Sequence, residues 1–185
     1  MHYILSSANI CLIPVLPENA REIIKYAHNE NVRRISTLFT PELNLTEPRV
    51  DVLEQMLKDN KDTCIMYRHE IANKSGEGPY IGLYNIDRNQ GRGYILYLGT
   101  ETDLEQKKLY EPLKLLCSRA FEEWRLDRLY MVVQTADKAT LTMLKGFGFK
   151  ESILLEGYSI WKGDTIDAIM LVCNKKNYRS FNTYE

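Results

Sequence analysis

A change in the periodicity of hydrophobic residues constrains the fold of this chain more than any other feature. Three short segments, residues 63–68, 80–86 and 94–98, are rich in β-branched and aromatic side chains. The stretches between them contain the turn-rich sequences NKSGEG and DRNQGRG. We therefore expect an antiparallel meander of three strands in the middle of the chain.

Strand and helix patterns flank this meander on both sides. Residues 10–15 predict a first strand, and two apolar stripes after it predict helices that open at Pro17 and near residues 46–48. The elements predicted after the meander are a helix over 109–124, a strand over 128–134, a helix over 138–145, and two closing strands around Ile153 and Ile169 separated by a turn at 162–164. This order predicts one α/β (α+β) domain over residues 1–173, with a mixed sheet and helices on both faces. The polar tail, residues 174–185, is expected to fray.

Size and composition narrow the class of protein. The chain has 185 residues, of which 44% are hydrophobic and 26% charged, enough for a core that needs no disulfide or metal. A net charge of -1 argues against a broad basic surface for nucleic acid or anionic membranes. The first residues lack the basic region of a secretion signal, and no apolar run is long enough to cross a bilayer. We expect a cytoplasmic protein without nucleic-acid or membrane partners.

The four cysteines are widely spaced and form no CxxC pair. Cys11, Cys64, Cys117 and Cys173 each have apolar neighbours, which is typical of reduced cysteines in the core of a cytosolic protein. The sequence also contains no metal-ligand spacing and no Ser/His/Asp arrangement. It therefore predicts neither a disulfide framework nor a metal centre.

Three stretches in the second half of the chain carry a resemblance to a known family. They are EPLKLLCSRAFEEWRLDRLYMVV, ADKATLTMLKGFGFKES and GYSIWKGDTIDAIMLV. Together with the order of the elements, they resemble the GNAT superfamily of acyltransferases, and within it the branch that acetylates the N-termini of proteins such as ribosomal proteins. The first stretch is similar to that family's cofactor helix and following strand. The second is similar to its next helix, which is followed here by Gly148 and Phe149, and the third to its closing hairpin, with Asp167 at a commonly acidic position.

The resemblance implies both a fold and an activity. The fold is that of the GNAT N-acyltransferases. The activity is transfer of an acetyl or other acyl group from acetyl-CoA or another acyl-CoA to a primary amine of a protein or small molecule. The oligomeric state is not determined by the sequence, and a homodimer is left open.

Four positions depart from the family pattern. The phosphate loop aligns with residues 104–109 (LEQKKL), so Lys107 and Leu109 stand where glycines are usual. Asp137 replaces the usual Asn, and Leu144 falls where many relatives have a tyrosine that protonates the departing thiolate. These departures leave two alternatives open: a binding or regulatory protein that has the fold but no turnover, and an acyltransferase whose donor is an acyl-carrier protein.

Pro112 predicts where the cofactor helix begins. Proline costs about 3 kcal/mol in a helix interior but is tolerated in the first turn, so this helix should start near residues 109–111. The N–H groups at such a start have no intrahelical partners and can donate to a pyrophosphate. The cofactor contacts predicted from this segment are those of Gln106, Lys107, Lys108, Leu109 and Tyr110. The alternative is a solvated basic turn that binds nothing.

The resemblance implies two further groups of cofactor contacts. Main chain at the end of the third meander strand, at Leu98, Gly99 and Thr100, would hold the pantetheine arm and polarise the thioester carbonyl. Asp137 and Thr140 occupy the family's Asn and Ser positions, and Thr140 would donate to the sulfur. The alternatives are that the strand simply ends there and that Thr140 is a helix-surface residue.

The acceptor side is less well defined by the sequence. Glu156 and Tyr158 lie in the closing strands, which often border the acceptor site in this family, and together with Thr140 they are the candidate catalytic residues. His28 and His69 are expected at the surface rather than as the general base.

Tyrosines are frequent in the second and third strands of the meander. Tyr80, Tyr84, Tyr94 and Tyr97 could form an aromatic acceptor pocket, and cross-strand packing would explain them equally well.

Overall fold

The structure, a computed structural model, describes residues 4–7, 10–33, 50–59, 64–70, 79–100, 103 and 109–182. The strands within these residues are β1 Leu5–Ser6, β2 Cys11–Pro14, β3 Ile65–Glu70, β4 Tyr80–Asp87, β5 Arg92–Leu98, β6 Arg128–Gln134, β7 Lys150–Trp161 and β8 Asp164–Asn174. After a short 3₁₀ turn at Pro17–Asn19, the helices are α1 Ala20–Ala27, α2 Glu30–Arg33, α3 Val50–Asp59, α4 Tyr110–Glu122, α5 Lys138–Gly146 and α6 Lys175–Asn182.

All eight strands belong to one sheet, in the order β1-β2-β3-β4-β5-β6-β8-β7. Every pairing is antiparallel except that of β5 with β6, which is parallel. The predicted meander is β3-β4-β5, and the predicted mixed sheet is confirmed. The two-residue strand β1, which pairs Leu5 with Leu12, was not predicted because so short a segment has no period to detect.

Helices cover both faces of the sheet, as predicted. Successive residues of β5 point to opposite faces, so Ile95 and Tyr97 lie in one core while Leu96 and Leu98 lie in the other. The first core is completed by α4, α5 and α6, and the second by α1, α2 and α3. A central strand with both faces covered is expected to be apolar at every position, which explains the run Tyr94 to Leu98.

The C-terminal segment differs from the expected frayed tail. It forms helix α6, and Tyr178 on that helix is only 2% exposed. The Tyr178 ring lies 5.2 Å from that of Phe121, and its hydroxyl donates to the Lys114 carbonyl at 3.0 Å. The prediction failed because the polar composition of this segment conceals the buried aromatic residue Tyr178. The proposed boundary after residue 173 stays a prediction.

The cysteines are free, as the sequence predicts. Cys64, Cys117 and Cys173 are buried, whereas Cys11 on β2 is only partly buried. Burial raises the pKa of Cys64 and that of Cys173 to about 12. These two thiols therefore stay protonated at neutral pH, which suits a role in packing.

Replacing Gly82 by alanine should destabilise the protein, because β3 and β4 approach closely at this point. A Cβ atom on Gly82 would lie 2.4 Å from the Ile65 carbonyl oxygen and 3.0 Å from the Met66 Cα. Backbone cannot move aside cheaply, so we expect a loss of about 1–3 kcal/mol in the free energy of unfolding, measured by urea titration. Gly146→Ala is the matched control, since nothing lies within 4 Å of that site. Equal stability of the two variants would contradict the prediction.

Candidate active site

The strands β5 and β6 separate in the middle of the sheet. Their parallel pairing covers only residues 92–94 of β5 and 128–130 of β6, whereas β5 stays paired with β4 up to Leu98 and β6 with β8 up to Gln134. Beyond Tyr94 and Tyr130, the two described strands share no pair. They enclose a gap, which we call the β5–β6 wedge, open at their carboxyl ends. This is the edge at which ligands bind in open α/β sheets.

Three stacked tyrosines mark the apex of the wedge. The Tyr94 ring lies 5.6 Å from that of Tyr84 on β4 and 5.1 Å from that of Tyr130 on β6. Tyr80 packs edge-on against Tyr26 of α1, with centroids 5.4 Å apart. Cross-strand and strand–helix packing therefore explains these tyrosines, and an acceptor pocket is not needed to account for them.

Helix α4 begins at the open edge of the wedge. It starts at Tyr110 after the N-cap residue Leu109, with Pro112 buried in its first turn, so the start predicted from Pro112 is confirmed. The Leu109 side chain is fully buried in the core. The core thus accommodates the large Leu109 side chain at a position where the family usually has glycine. Three of the predicted phosphate contacts lie outside the described residues: Gln106, Lys107 and Lys108.

Main chain at the end of β5 makes a tight turn. A Cβ atom on Gly99 would lie 2.2 Å from the Tyr97 hydroxyl oxygen, so glycine allows this side chain to pack against the backbone. The Thr100 N–H and hydroxyl both donate to Asp103 Oδ2, at 2.8 and 2.7 Å. The pKa of Tyr97 lies well above its usual value, through burial first and then through the negative charge of Asp103. Leu98, Gly99 and Thr100 therefore border the wedge, with the Thr100 donors already engaged.

Helix α5 begins at the same edge, directly after β6. Its N-cap residue Asp137 donates its N–H to the Gln134 carbonyl at 3.0 Å, and its Oδ1 accepts the Thr140 N–H at 3.0 Å. The second oxygen, Asp137 Oδ2, and the Thr140 hydroxyl are both buried and have no partner among the described residues. Thr140 is 3% exposed, which contradicts its interpretation as a helix-surface residue. One turn further on, Leu144 is packed in the core and offers no proton donor.

Glu156 and Tyr158 lie in a bulge of the edge strand β7. Residues 156–158 face Asp167 of β8 alone, because Leu155 pairs with Ala168 and Ser159 with Ile166. Gly157 has a φ of +61°, and its N–H donates to Asp167 Oδ1 at 2.8 Å. The acidic residue noted at position 167 therefore holds the bulge, a role that no sequence signal revealed.

The bulge is tied to the end of β6 as well. The Thr135 N–H and hydroxyl donate to the Asp167 carbonyl at 2.9 and 3.2 Å. Glu156 is exposed and Tyr158 is 37% exposed, and burial raises the pKa of Tyr158. Both candidate acceptor residues thus lie opposite Asp167 across the hairpin, and Asp167 contacts the segment leading into α5.

His28 and His69 are less exposed than the sequence predicts. His69 on β3 is only 8% exposed, and its main chain belongs to the ladder with β2. His28 caps the end of α1 and is partly buried, and its Nε2 is enclosed without a hydrogen-bond partner in the described part of the chain. Neither histidine lies in the turns that border the wedge.

Two further features concern ligands and membranes. Among the described residues, no group of three or more His, Cys, Asp or Glu side chains could hold a metal ion. The longest helix in that part of the chain, α4, has 13 residues, and none has the length and hydrophobicity needed to cross a membrane.

Comparison with known proteins identifies the architecture. No family model and no curated protein matches the sequence. Among solved structures, mutant forms of the spermidine/spermine N-acetyltransferase SpeG from Vibrio cholerae match with a TM-score of 0.73 over 97% of this chain and 100% of theirs, at 16% identity. The chain has the GNAT acetyltransferase fold. A further mutant of SpeG matches with a TM-score of 0.74 over 94% of this chain and 99% of its own, at 15% identity.

The GNAT fold implied by the resemblance is therefore confirmed. The splaying of β5 from β6, which the resemblance implies for this fold, is present and leaves the wedge described above. Pro112 predicted the start of α4 at its open edge, and the resemblance implied a role for the main chain at Gly99 beside it. The feature that sequence reasoning missed is the pair of buried oxygens at the start of α5 that have no partner among the described residues.

Proposed function

We propose that this protein is an N-acyltransferase that moves an acetyl or other acyl group from acyl-CoA to a primary amine of a protein or small molecule. The observation that carries the proposal is the β5–β6 wedge with the starts of α4 and α5 at its open edge. The edge of a strand that is not paired with another strand offers main-chain hydrogen bonds to the extended pantetheine arm of acyl-CoA. A helix start offers free N–H groups and a partial positive charge to a diphosphate.

The proposed cofactor contacts follow the wedge from its mouth inward. Gln106, Lys107 and Lys108, with the N–H groups of Leu109 and Tyr110, would bind the diphosphate at the start of α4. Leu98 and Gly99 would hold the pantetheine arm and the thioester carbonyl through main chain, and Thr100 would shape the turn beside them. Asp137 and Thr140 would contact the end of the arm that carries the thioester.

The reaction makes three demands: the amine must lose a proton, the oxyanion must be stabilised, and the departing thiolate should receive a proton. Main-chain donors at the end of β5 would stabilise the oxyanion. The Thr140 hydroxyl would donate to the sulfur, which Leu144 cannot do. Glu156 and Tyr158 would contact the acceptor amine, and the carboxylate of Glu156 is available to take its proton.

The acceptor belongs to the same proposal. The exposed carboxylate of Glu156 and the exposed ring of Tyr158 favour a cationic amine. Two amines are candidates: a small polyamine, which the name of SpeG indicates for that protein, and a protein N-terminus, which the resemblance implies. A cytoplasmic location remains a prediction from the sequence, which leaves a homodimer open.

One observation favours a second candidate function. Leu144 is packed in the core, where many GNAT enzymes carry the tyrosine that protonates the thiolate. A protein that binds an acyl-CoA without turnover, as a regulatory or binding module, would have this arrangement.

Thermal unfolding with and without acetyl-CoA tests the proposal. Acetyl-CoA at about 100 times its dissociation constant should add about 2.7 kcal/mol to the free energy of unfolding and raise the melting temperature. Release of free CoA in the presence of spermidine, or of a peptide with a free N-terminus, would then establish transfer and distinguish the acceptors. A shift without CoA release from either amine supports the binding module. The absence of a shift would refute acyl-CoA binding.

A further inference from the structure

The turn between β7 and β8 reaches across the β5–β6 wedge to helix α2. In that turn, the Nζ atom of Lys162 lies 2.7 Å from Oε1 of Glu30, the first residue of α2. In the sheet, β7 and β8 lie on the β6 side of the wedge. Helices α1, α2 and α3 lie on the β5 side, because the core that they cover is built from residues 15–98. The ion pair therefore bridges the two sides of the wedge.

Glu30 stands at the open edge of the wedge. Tyr26, four residues before it and in the last turn of α1, packs against Tyr80 with ring centroids 5.4 Å apart. Tyr80 in turn pairs with Leu98, the last residue of β5. The chain thus enters α2 at the level of the carboxyl end of β5, where the wedge is open.

The hairpin of β7 and β8 projects past the end of β6 at the same edge. The last residue of β6, Gln134, pairs with Ala168 of β8, and residues 159–166 lie beyond that pair. We call these residues the β7–β8 tip. Asp167, just before the tip, is fixed by its bonds with the bulge and with the end of β6. The base of the hairpin extension is therefore anchored independently of the ion pair.

The β7–β8 tip leans toward the α1–α3 face of the sheet. Ser159 pairs with Ile166, and paired side chains share a face. Ile166 lies five residues before Leu171 on β8, so the two point to opposite faces, and Leu171 lies in the core completed by α4. Ser159 and Ile166 are partly buried, whereas Ile160 on the other face is 76% exposed. The tip therefore covers the wedge on the face away from the starts of α4 and α5.

We propose that the Lys162–Glu30 ion pair is a latch that closes the wedge on the α1–α3 face, and that the amine enters from this face when the latch is open. The inference rests on the proposed acyltransferase function. The acyl donor would enter from the opposite face, where α4 and α5 begin, so the latch would leave donor binding unchanged.

The exposure of the ion pair suits a contact that opens and closes. The Lys162 and Glu30 side chains are 68% and 64% exposed, so water and salt compete with the pair. The hydrogen bond and then the charge of Lys162 lower the pKa of Glu30. Both groups are therefore ionised at neutral pH, and added salt is the condition that should open the latch.

The distance between the β7–β8 tip and α1 tests the latch without an assay of activity. Nitroxide labels on Arg21→Cys of α1 and Thr165→Cys of the tip, both exposed positions, report this distance by pulsed electron paramagnetic resonance in a Cys11→Ser background. We expect one distance in about 0.1 M salt. A second, longer distance should appear in Glu30→Gln, and in the wild-type sequence in about 1 M salt, where charges are screened beyond about 3 Å.

Glu151→Gln is the matched control for the distance measurement. Lys145 and Glu151 are also 2.7 Å apart and 55% and 48% exposed, but they join the end of α5 to β7 and do not reach α2. This variant should keep the wild-type distance, and the charge-exchanged variant Glu30→Lys/Lys162→Glu should restore it. A Glu30→Gln variant with only the wild-type distance would refute the latch, whatever the outcome for acyl transfer.

Kinetics with acetyl-CoA test the role of the latch in access. Lys162→Gln opens the latch but keeps the Glu30 carboxylate. It should lower KM about threefold for whichever of spermidine and a peptide with a free N-terminus is acetylated, because a larger fraction of the protein is open. Both kcat and the rise in melting temperature with acetyl-CoA should stay unchanged, and the charge-exchanged variant should recover the wild-type KM.

The outcomes separate this inference from the proposed function. An unchanged or raised KM in Lys162→Gln, with the longer distance present, would refute the role in access and leave the acyltransferase proposal standing. If the wild-type protein releases no CoA with either amine, the proposed transfer fails, and the distances alone still decide whether the latch exists.

Discussion

Replacing Tyr178 by alanine should lower the free energy of unfolding by about 3–5 kcal/mol. Tyr178 is 2% exposed, its ring packs 5.2 Å from that of Phe121, and its hydroxyl donates to the Lys114 carbonyl at 3.0 Å. Truncation would leave a cavity between α6 and α4 and remove the hydrogen bond. In a chain of this length each kcal/mol corresponds to about 3 °C, so we expect the melting temperature to fall by roughly 10 °C.

Tyr178→Phe is the control for this prediction. It keeps the ring and removes only the hydroxyl, so it should cost about 1 kcal/mol. Near-equal stability of the alanine variant and the wild-type protein in urea titrations would show that α6 does not pack on α4. Nearly equal losses for Ala and Phe would assign the stabilisation to the hydrogen bond instead of the ring.

Replacing Thr140 by valine should lower kcat for acyl transfer about 10²-fold, the usual scale for loss of a proton donor to a reacting group. Valine has the shape of threonine but cannot donate to the departing sulfur. The Thr140 hydroxyl has no partner among the described residues, so its removal should leave the melting temperature unchanged or raised. The measurement is CoA release from acetyl-CoA under saturating acceptor, beside a thermal melt.

Thr140→Ser restores the hydroxyl and should recover most of the activity. A valine variant that retains full kcat would exclude Thr140 from the chemistry. A valine variant that loses activity together with stability would assign the loss to packing, and the serine variant would then share the defect.

The sequence predicted the framework of the fold because its signals are local and repeated. The meander, the strand over residues 128–134 and the helices on either side of it were all present as predicted, and β6 has the predicted bounds Arg128–Gln134. Pro112 located the start of α4 within a residue, since proline is excluded from helix interiors but accepted in the first turn. Each of these signals depends on one segment of chain alone.

Features that depend on contacts between distant segments were not predicted. Nothing in the local sequence indicates that Tyr178 is buried by α4, or that Asp167 holds the bulge at Gly157 across a hairpin. The burial of Thr140 depends on how α5 packs against the sheet, which a helical pattern of nine residues does not specify. His69 likewise reads as a polar strand end but is covered in the folded chain.

The parting of β5 from β6 makes a seam in the sheet. Three residue pairs join these strands, compared with seven between β6 and β8, so the seam is the least hydrogen-bonded line among the central strands. A molecule seated in it would touch β5, which is paired into β1–β5, on one side and β6, which is paired into β6–β8, on the other, and so would join the two halves. Its stabilising effect would then spread over the whole domain, and unfolding of either half would require its release.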